Sequence, residues 1–138
     1  MRTKFYLAGL AGAVVSYLLS WLVFGFLLMS FFSAHTIYYD GLMYEMPKVW
    51  VLIIAFLLEG FMLAFIFERW AKIATFKSGL VAGLILGLFI SGFFDAMTYS
   101  MMHLYRARLL VVDVLCSSVI TAIAGGVVGL VLSNKEKK

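Results

Sequence analysis

Residues 79–103 read GLVAGLILGLFISGFFDAMTYSMMH, and residues 113–133 read DVLCSSVITAIAGGVVGLVLS. In each stretch every fourth residue is small or polar, although most residues between them are apolar. Residues four apart lie above one another on a helix surface, so each stretch predicts a long helix with one small, polar face. The first face is Gly79, Gly83, Gly87, Ser91, Asp95, Tyr99 and His103, and the second is Asp113, Ser117, Thr121, Gly125, Gly129 and Ser133.

The composition places these helices in a lipid bilayer. Of the 138 residues, 64% are hydrophobic and 13% are charged, whereas a soluble domain has about 45–50% apolar and about 25% charged residues. A helix needs about 20 apolar residues to cross the membrane core, and four runs are long enough: 5–32, 49–70, 76–102 and 109–132. The sequence therefore predicts one all-α domain over 1–138, a bundle of four transmembrane helices. The first run is too long for a signal peptide and is predicted to be a retained span.

The basic residues predict the orientation of the four spans. Basic residues are enriched in cytoplasmic loops, and eight of the eleven fall on the side that carries both termini: Arg2, Lys4, Arg69, Lys72, Lys77, Lys135, Lys137 and Lys138. Lys48, Arg106 and Arg108 fall on the other side. We therefore expect cytoplasmic termini and outer loops at 35–48 and 103–108. The tail 134–138 is interpreted as an orientation signal that also contacts anionic lipid, and no nucleic-acid partner is expected.

The glycine halves of the two stripes predict close packing between the third and fourth spans. Glycine allows helix backbones to approach in lipid, where no hydrophobic effect draws helices together. The connection at 103–108 is short, so these two spans should form an antiparallel hairpin. We expect a glycine zipper in which Gly79, Gly83 and Gly87 meet Gly125, Gly129 and Ser133.

The polar halves of the same stripes bring two aspartates to a similar membrane depth. An aspartate inside a bilayer costs roughly 2.5–3.5 kcal/mol on insertion scales and usually has a partner in the protein. For Asp95 and Asp113 the expected partners are Arg106, Arg108, His103, Tyr99, Ser117 and the outer water layer. Two interpretations stay open: a buried polar network that fixes the hairpin register, or an outward-facing cavity in which the aspartates bind a cation or share a proton.

Glu59 is a second acidic candidate, near the middle of the second span. It lies roughly 16 Å along the helix from Lys48, at a depth similar to that of Ser16, Tyr17 and Ser20. A glutamate at this depth marks a functional site unless it is simply protonated and hydrogen-bonded, here to a serine. Either interpretation predicts that Glu59 faces protein and not lipid.

No catalytic, metal or cofactor site is predicted. His35 and His103 both lie near the outer face without a supporting haem or metal motif. Cys116 lies alone inside the fourth span and is interpreted as a small apolar residue. No serine has a histidine at its own depth, so no enzymatic activity is expected.

Several short segments resemble an uncharacterised family of small four-span bacterial inner-membrane proteins. They are Phe67-Glu68-Arg69-Trp70, Thr75-Phe76-Lys77-Ser78-Gly79, Val112-Asp113 and Ala122-Ile123-Ala124-Gly125-Gly126-Val127-Val128-Gly129. The resemblance implies a multi-pass protein of the bacterial inner membrane and brings no agreed activity. From the residues we expect a structural or accessory membrane protein that contacts lipid and forms a homo-oligomer or joins partner subunits. The alternative is a small proton- or cation-coupled transporter or channel with an outward-facing acidic site.

Overall fold

The chain folds as an all-α bundle of membrane-spanning helices, as predicted. The computed structural model describes residues 2–133, so the predicted orientation signal at 134–138 lies outside the described residues. The helices are α1 (Arg2–Leu22), α2 (Met29–His35), α3 (Val49–Phe65), α4 (Phe76–Met101) and α5 (Ala107–Leu132). Wider π-helical turns extend α1 over Val23–Leu27 and α3 over Ile66–Ala71. Four of these helices are long and apolar enough to cross a bilayer, which makes the chain a multi-pass membrane protein.

The first span differs from the single run predicted over 5–32. Its helix widens into the π-helical turn and stops at Leu28, whose backbone leaves the helical region (φ −110°, ψ 8°). Gly25 lies at the centre of the turn, and glycine is among the weakest helix formers. The short helix α2 then continues to His35, which places His35 in a helix and not in the predicted outer loop.

α5 lies at the centre of the bundle. It packs against α1, α3 and α4, and α1 also packs against α3. Among the 18 most apolar consecutive residues of each helix, half are buried in α5, compared with 11% in α4. α4 therefore lies on one flank and packs mainly on α5.

The α4–α5 seam is a close backbone contact with a definite register. A Cβ atom at Gly83 would lie 2.5 Å from the Thr121 carbonyl oxygen, and one at Gly87 would lie 2.9 Å from the Ser118 Cα. Gly79 lies against Gly125, and Gly129 packs beside it. Gly79 and Gly83 thus meet Gly125, whereas the residues that face Gly87 are Ser118 and Thr121. At the other end of the seam Gly129 also lies against the Thr75 carbonyl group.

The two ends of the bundle are packed differently. We call the end with the segment 36–48 and the turn 102–106 the loop end, and the opposite end the terminal end. Fully buried side chains from α1, α3 and α5 fill the terminal end, where they form one cluster: Ala8, Leu63, Ala64, Phe67, Ala124 and Val128. Toward the loop end the same helices separate, and the space between them positions the candidate site.

Candidate functional site

Glu59 of α3 lies where the packed end of the bundle stops. Its Oε1 accepts a hydrogen bond from the Thr121 hydroxyl of α5 at 3.0 Å. Ser16 of α1 faces the same carboxyl group, but its fully buried hydroxyl has no hydrogen-bond partner among residues 2–133. Glu59 therefore faces protein: Thr121 of α5 donates to its carboxyl group, and the expected serine of the first span, Ser16, lies beside it.

A cavity of about 620 Å³ opens beside Glu59, between α1, α3 and α5. Its walls are mostly apolar and aromatic, and Glu59 is the only charged side chain among them. The lining residues are Tyr17, Ser20, Trp21, Phe24, Gly25, Pro47, Val49, Leu52, Phe56, Glu59, Ser117, Ile120 and Thr121. This arrangement places one carboxyl group at about mid-membrane depth inside a largely apolar chamber, which we call the Glu59 cavity.

Asp95 and Asp113 face each other across the α4–α5 seam. The Ser117 hydroxyl donates a long hydrogen bond of 3.4 Å to Asp113 Oδ1. Asp95 Oδ2 is buried without a hydrogen-bond partner in the described part of the chain. Two carboxyl groups this close cannot both carry a negative charge cheaply, so the pair is suited to hold a proton or a cation between them.

Most of the partners expected for the two aspartates lie elsewhere. Within residues 2–133, no ion pair joins Arg106 or Arg108 to either aspartate, and both arginines are exposed. Arg106 was expected to extend the last helix toward Asp113, but α5 begins at Ala107 and the backbone of Arg106 is extended. Tyr99 and His103 are also exposed, so of the expected side-chain partners Ser117 contributes the hydrogen bond.

A second cavity, of about 480 Å³, reaches Asp113 from the loop end. Tyr105 lines it together with Ser33, Thr36 and Tyr38. Burial, and then the negative charges of Asp113 and Asp95, raise the pKa of Tyr105 above its usual value. Tyr105 was not predicted as a site residue, although its place in the short turn before Asp113 was a usable signal.

Backbone hydrogen bonds hold this turn in place. The Ile37 amide donates to the Leu104 carbonyl at 2.8 Å, and the Arg106 amide donates to the His35 carbonyl at 3.1 Å. The Tyr39 hydroxyl also donates to the carbonyl of His103 at 2.9 Å. The segment that follows α2 is thus fastened to the α4–α5 turn and forms one wall of the second cavity.

Ser117 and Phe24 connect the two cavities. Ser117 lines the Glu59 cavity and donates to Asp113, which lines the second cavity. Phe24 lines both cavities from the π-helical turn of α1. A series of polar side chains therefore runs from mid-membrane depth toward the loop end, and we call it the acidic path: Glu59, Thr121, Ser117, Asp113 and Asp95.

Neither histidine takes part in the acidic path. His35 Nδ1 lies 2.8 Å from the Phe31 carbonyl oxygen, and its ring stacks on that of Phe31. Within residues 2–133, no group of three His, Cys, Asp or Glu side chains is arranged to hold a metal ion.

No family model, curated protein or solved structure matches this chain.

Proposed function

We propose that this small multi-pass membrane protein moves protons or small cations, using the carboxyl groups of Glu59, Asp113 and Asp95. The observation that carries the proposal is the acidic path, which joins the Glu59 cavity to a second cavity at the loop end. Ionisable groups at membrane depth are costly and typically mark ion or proton pathways.

Water can fill the acidic path where its side chains do not contact each other directly. Ser117 and Thr121 lie one turn apart on α5 and both line the Glu59 cavity, which is large enough for several waters. Asp113 is reached by the second cavity. Hydroxyl and carboxyl groups bridged by water can pass a proton along such a series without burying an unpaired charge.

The orientation we propose decides which side of the membrane the second cavity faces. The distribution of basic residues supports cytoplasmic termini. In that orientation the second cavity opens outward, so Asp113 and Asp95 lie nearer to the outer solution than Glu59 does.

Flux measured in sealed vesicles tests this function. Purified protein is reconstituted with a pH-sensitive dye inside the vesicles, and a proton or potassium gradient is imposed. We expect flux in the wild type, and loss of it in Asp95→Asn and Glu59→Gln. Asp40→Asn, which removes the same charge from an exposed loop position, should behave like the wild type. Equal flux in the wild type and both path variants would rule out the proposal.

An accessory role in a larger assembly is the second candidate. The favouring observation is that α4 packs mainly on α5 and presents a row of exposed aromatic side chains on its other side, which includes Phe89, Phe93 and Phe94. We propose that a second copy or a partner subunit covers this face. Cross-linking in native membranes from a cysteine placed at Phe93, followed by mass determination, separates a homo-oligomer and a hetero-complex from a protein surrounded by lipid.

A further inference from the structure

We propose that the Glu59 cavity binds a lipophilic organic cation, such as a hydrophobic amine or a quaternary ammonium compound with one positive charge. This goes beyond the proposed function, because the acidic path requires only a proton or a small cation. The two share Glu59 but are measured separately, one by equilibrium binding and the other by flux.

The size and the walls of the cavity favour an organic ligand. Its volume of about 620 Å³ lies within the range of roughly 300–1,000 Å³ that is usual for drug-sized ligands. The walls are dominated by Leu52, Ile120 and aromatic side chains, so a proton or small ion at Glu59 would leave most of the apolar wall without contact. A ligand with an apolar body would gain contact along the whole wall.

The charge of the cavity selects a cation. Glu59 is the only carboxyl group among its lining residues, and the lining contains no lysine, arginine or histidine. A neutral ligand would leave the carboxylate without a counter-charge, and an anion would be repelled. A monovalent organic cation satisfies both the apolar walls and the single acid.

Aromatic rings line the same cavity as Glu59. Tyr17 and Phe56 pack edge to face, with ring centroids 5.6 Å apart, and Trp21 and Phe24 complete the aromatic wall. A cation over such rings is attracted by their quadrupoles. Trp21 is 64% exposed, so it lies at the mouth of the cavity on the lipid-facing side of α1.

Ser16 lies beside the Glu59 carboxyl group. Its side chain is fully buried, its hydroxyl has no hydrogen-bond partner among the described residues, and it faces Glu59. Buried hydroxyl groups are normally hydrogen-bonded. Ser16 and Thr121 therefore both place a hydroxyl group beside the Glu59 carboxyl group.

Equilibrium dialysis with a pair of size-matched probes tests the inference. Purified protein in an uncharged detergent is dialysed against radiolabelled tetraphenylphosphonium or tetraphenylborate, which have nearly the same shape and opposite charge. We expect saturable binding of one phosphonium per chain and no saturable binding of the borate. Glu59→Gln should weaken phosphonium binding about 10- to 100-fold. Glu68→Gln, the same substitution at the terminal end of the same span, should leave it unchanged.

A second variant keeps the result interpretable if Glu59→Gln fails to fold. Trp21→Leu alters only the exposed mouth of the cavity and should weaken phosphonium binding about threefold or more. Equal binding of the two probes, or phosphonium binding that neither variant weakens, would overturn the inference. If the wild type shows ion flux but no saturable phosphonium binding, this inference alone is removed. If the wild type binds phosphonium through Glu59 but shows no ion flux, the proposed function alone is removed.

Discussion

Replacing Gly83 by alanine should push α4 and α5 apart. A Cβ atom at this position would lie 2.5 Å from the Thr121 carbonyl oxygen, 3.0 Å from the Ala122 Cα and 3.2 Å from the Gly125 Cα. All three atoms belong to the backbone of α5, so no side-chain rotation can relieve the overlap. Contacts between carbon and oxygen ordinarily begin near roughly 3.3 Å, so α5 would have to move away by roughly 0.8 Å.

The size of the effect follows from this displacement. A gap of about 0.5–1 Å already removes about a quarter to a half of the dispersion energy of each separated atom pair. Inserting a methyl group into a well-packed contact costs about 1–3 kcal/mol of folding free energy. We expect the upper part of this range for Gly83→Ala, because the seam extends along both helices and cannot yield at one point alone.

Gly92→Ala is the matched control on the same helix. Its Cβ atom would meet only the Val114 Cγ1, at 3.9 Å, which is an ordinary contact. Any gain in helix propensity is common to the two substitutions, so it cancels when the variants are compared with each other. Reversible unfolding in mixed micelles, followed by circular dichroism, should therefore give Gly83→Ala a free energy of unfolding about 1–3 kcal/mol below that of Gly92→Ala. Equal values for the two variants would refute the close backbone contact.

Two further predictions concern the loop end and the orientation. Burial and then the negative charge of Asp113 raise the pKa of Tyr105 above its usual value. An ultraviolet titration should therefore show its phenol ionising at higher pH than in the unfolded chain, and Asp113→Asn should lower this pKa. The folded state should therefore lose stability as the pH rises from the usual pKa of tyrosine through the raised pKa of Tyr105. A Tyr105 that titrates like free tyrosine would contradict the prediction. In a Cys116→Ser background, a cysteine at Asp40 should react with a membrane-impermeant maleimide in intact cells, and one at Lys72 should react only after lysis; the reverse pattern would invert the proposed topology.

The helices of the bundle were predictable because membrane spans leave a strong signal in one dimension. A run of about 20 apolar residues is sufficient to indicate a span, and the four-residue spacing identified the faces of α4 and α5 that meet. The break at Leu28 was not predictable, since an apolar run looks the same whether the helix continues or widens into a π-helical turn. The contact of Gly87 with Ser118 and Thr121 was not predicted, because the spacing within each helix does not specify how the two helices are aligned along their length.

The candidate site was less predictable than the helices because its contacts join distant spans. The depth of Glu59 followed from the sequence, but its hydrogen bond to Thr121 requires α3 to lie beside α5, which no pattern within either helix specifies. Arg106 does not pair with either aspartate within residues 2–133, because it lies just before the start of α5 and its backbone is extended. Tyr105 was missed because a tyrosine near a membrane surface ordinarily indicates an interface anchor.

The distribution of side-chain size along α1 and α3 explains why a cavity exists at all. At the terminal end Gly60 of α3 lies so close to α1 that a Cβ atom there would lie 2.5 Å from the Ala13 amide nitrogen. At the loop end the side chains that these two helices and the π-helical turn present to the cavity are larger: Trp21, Phe24 and Phe56. Glu59 immediately precedes Gly60, so the acid lies at the boundary between the closely packed part of the bundle and the cavity.

This placement couples the acid to the packing. Because residues 59 and 60 are adjacent, a larger side chain at Gly60 would displace Glu59 from Thr121 as well as separate the helices. Small residues that close the terminal end therefore also fix the position of the carboxyl group at the base of the open end. The same logic holds on α4, where Gly87 in the tight seam lies two turns before Asp95. In both helices the glycine contacts fix the position of an acidic side chain that packing alone does not require. The acids, and not the glycines, are therefore the positions at which function should be tested.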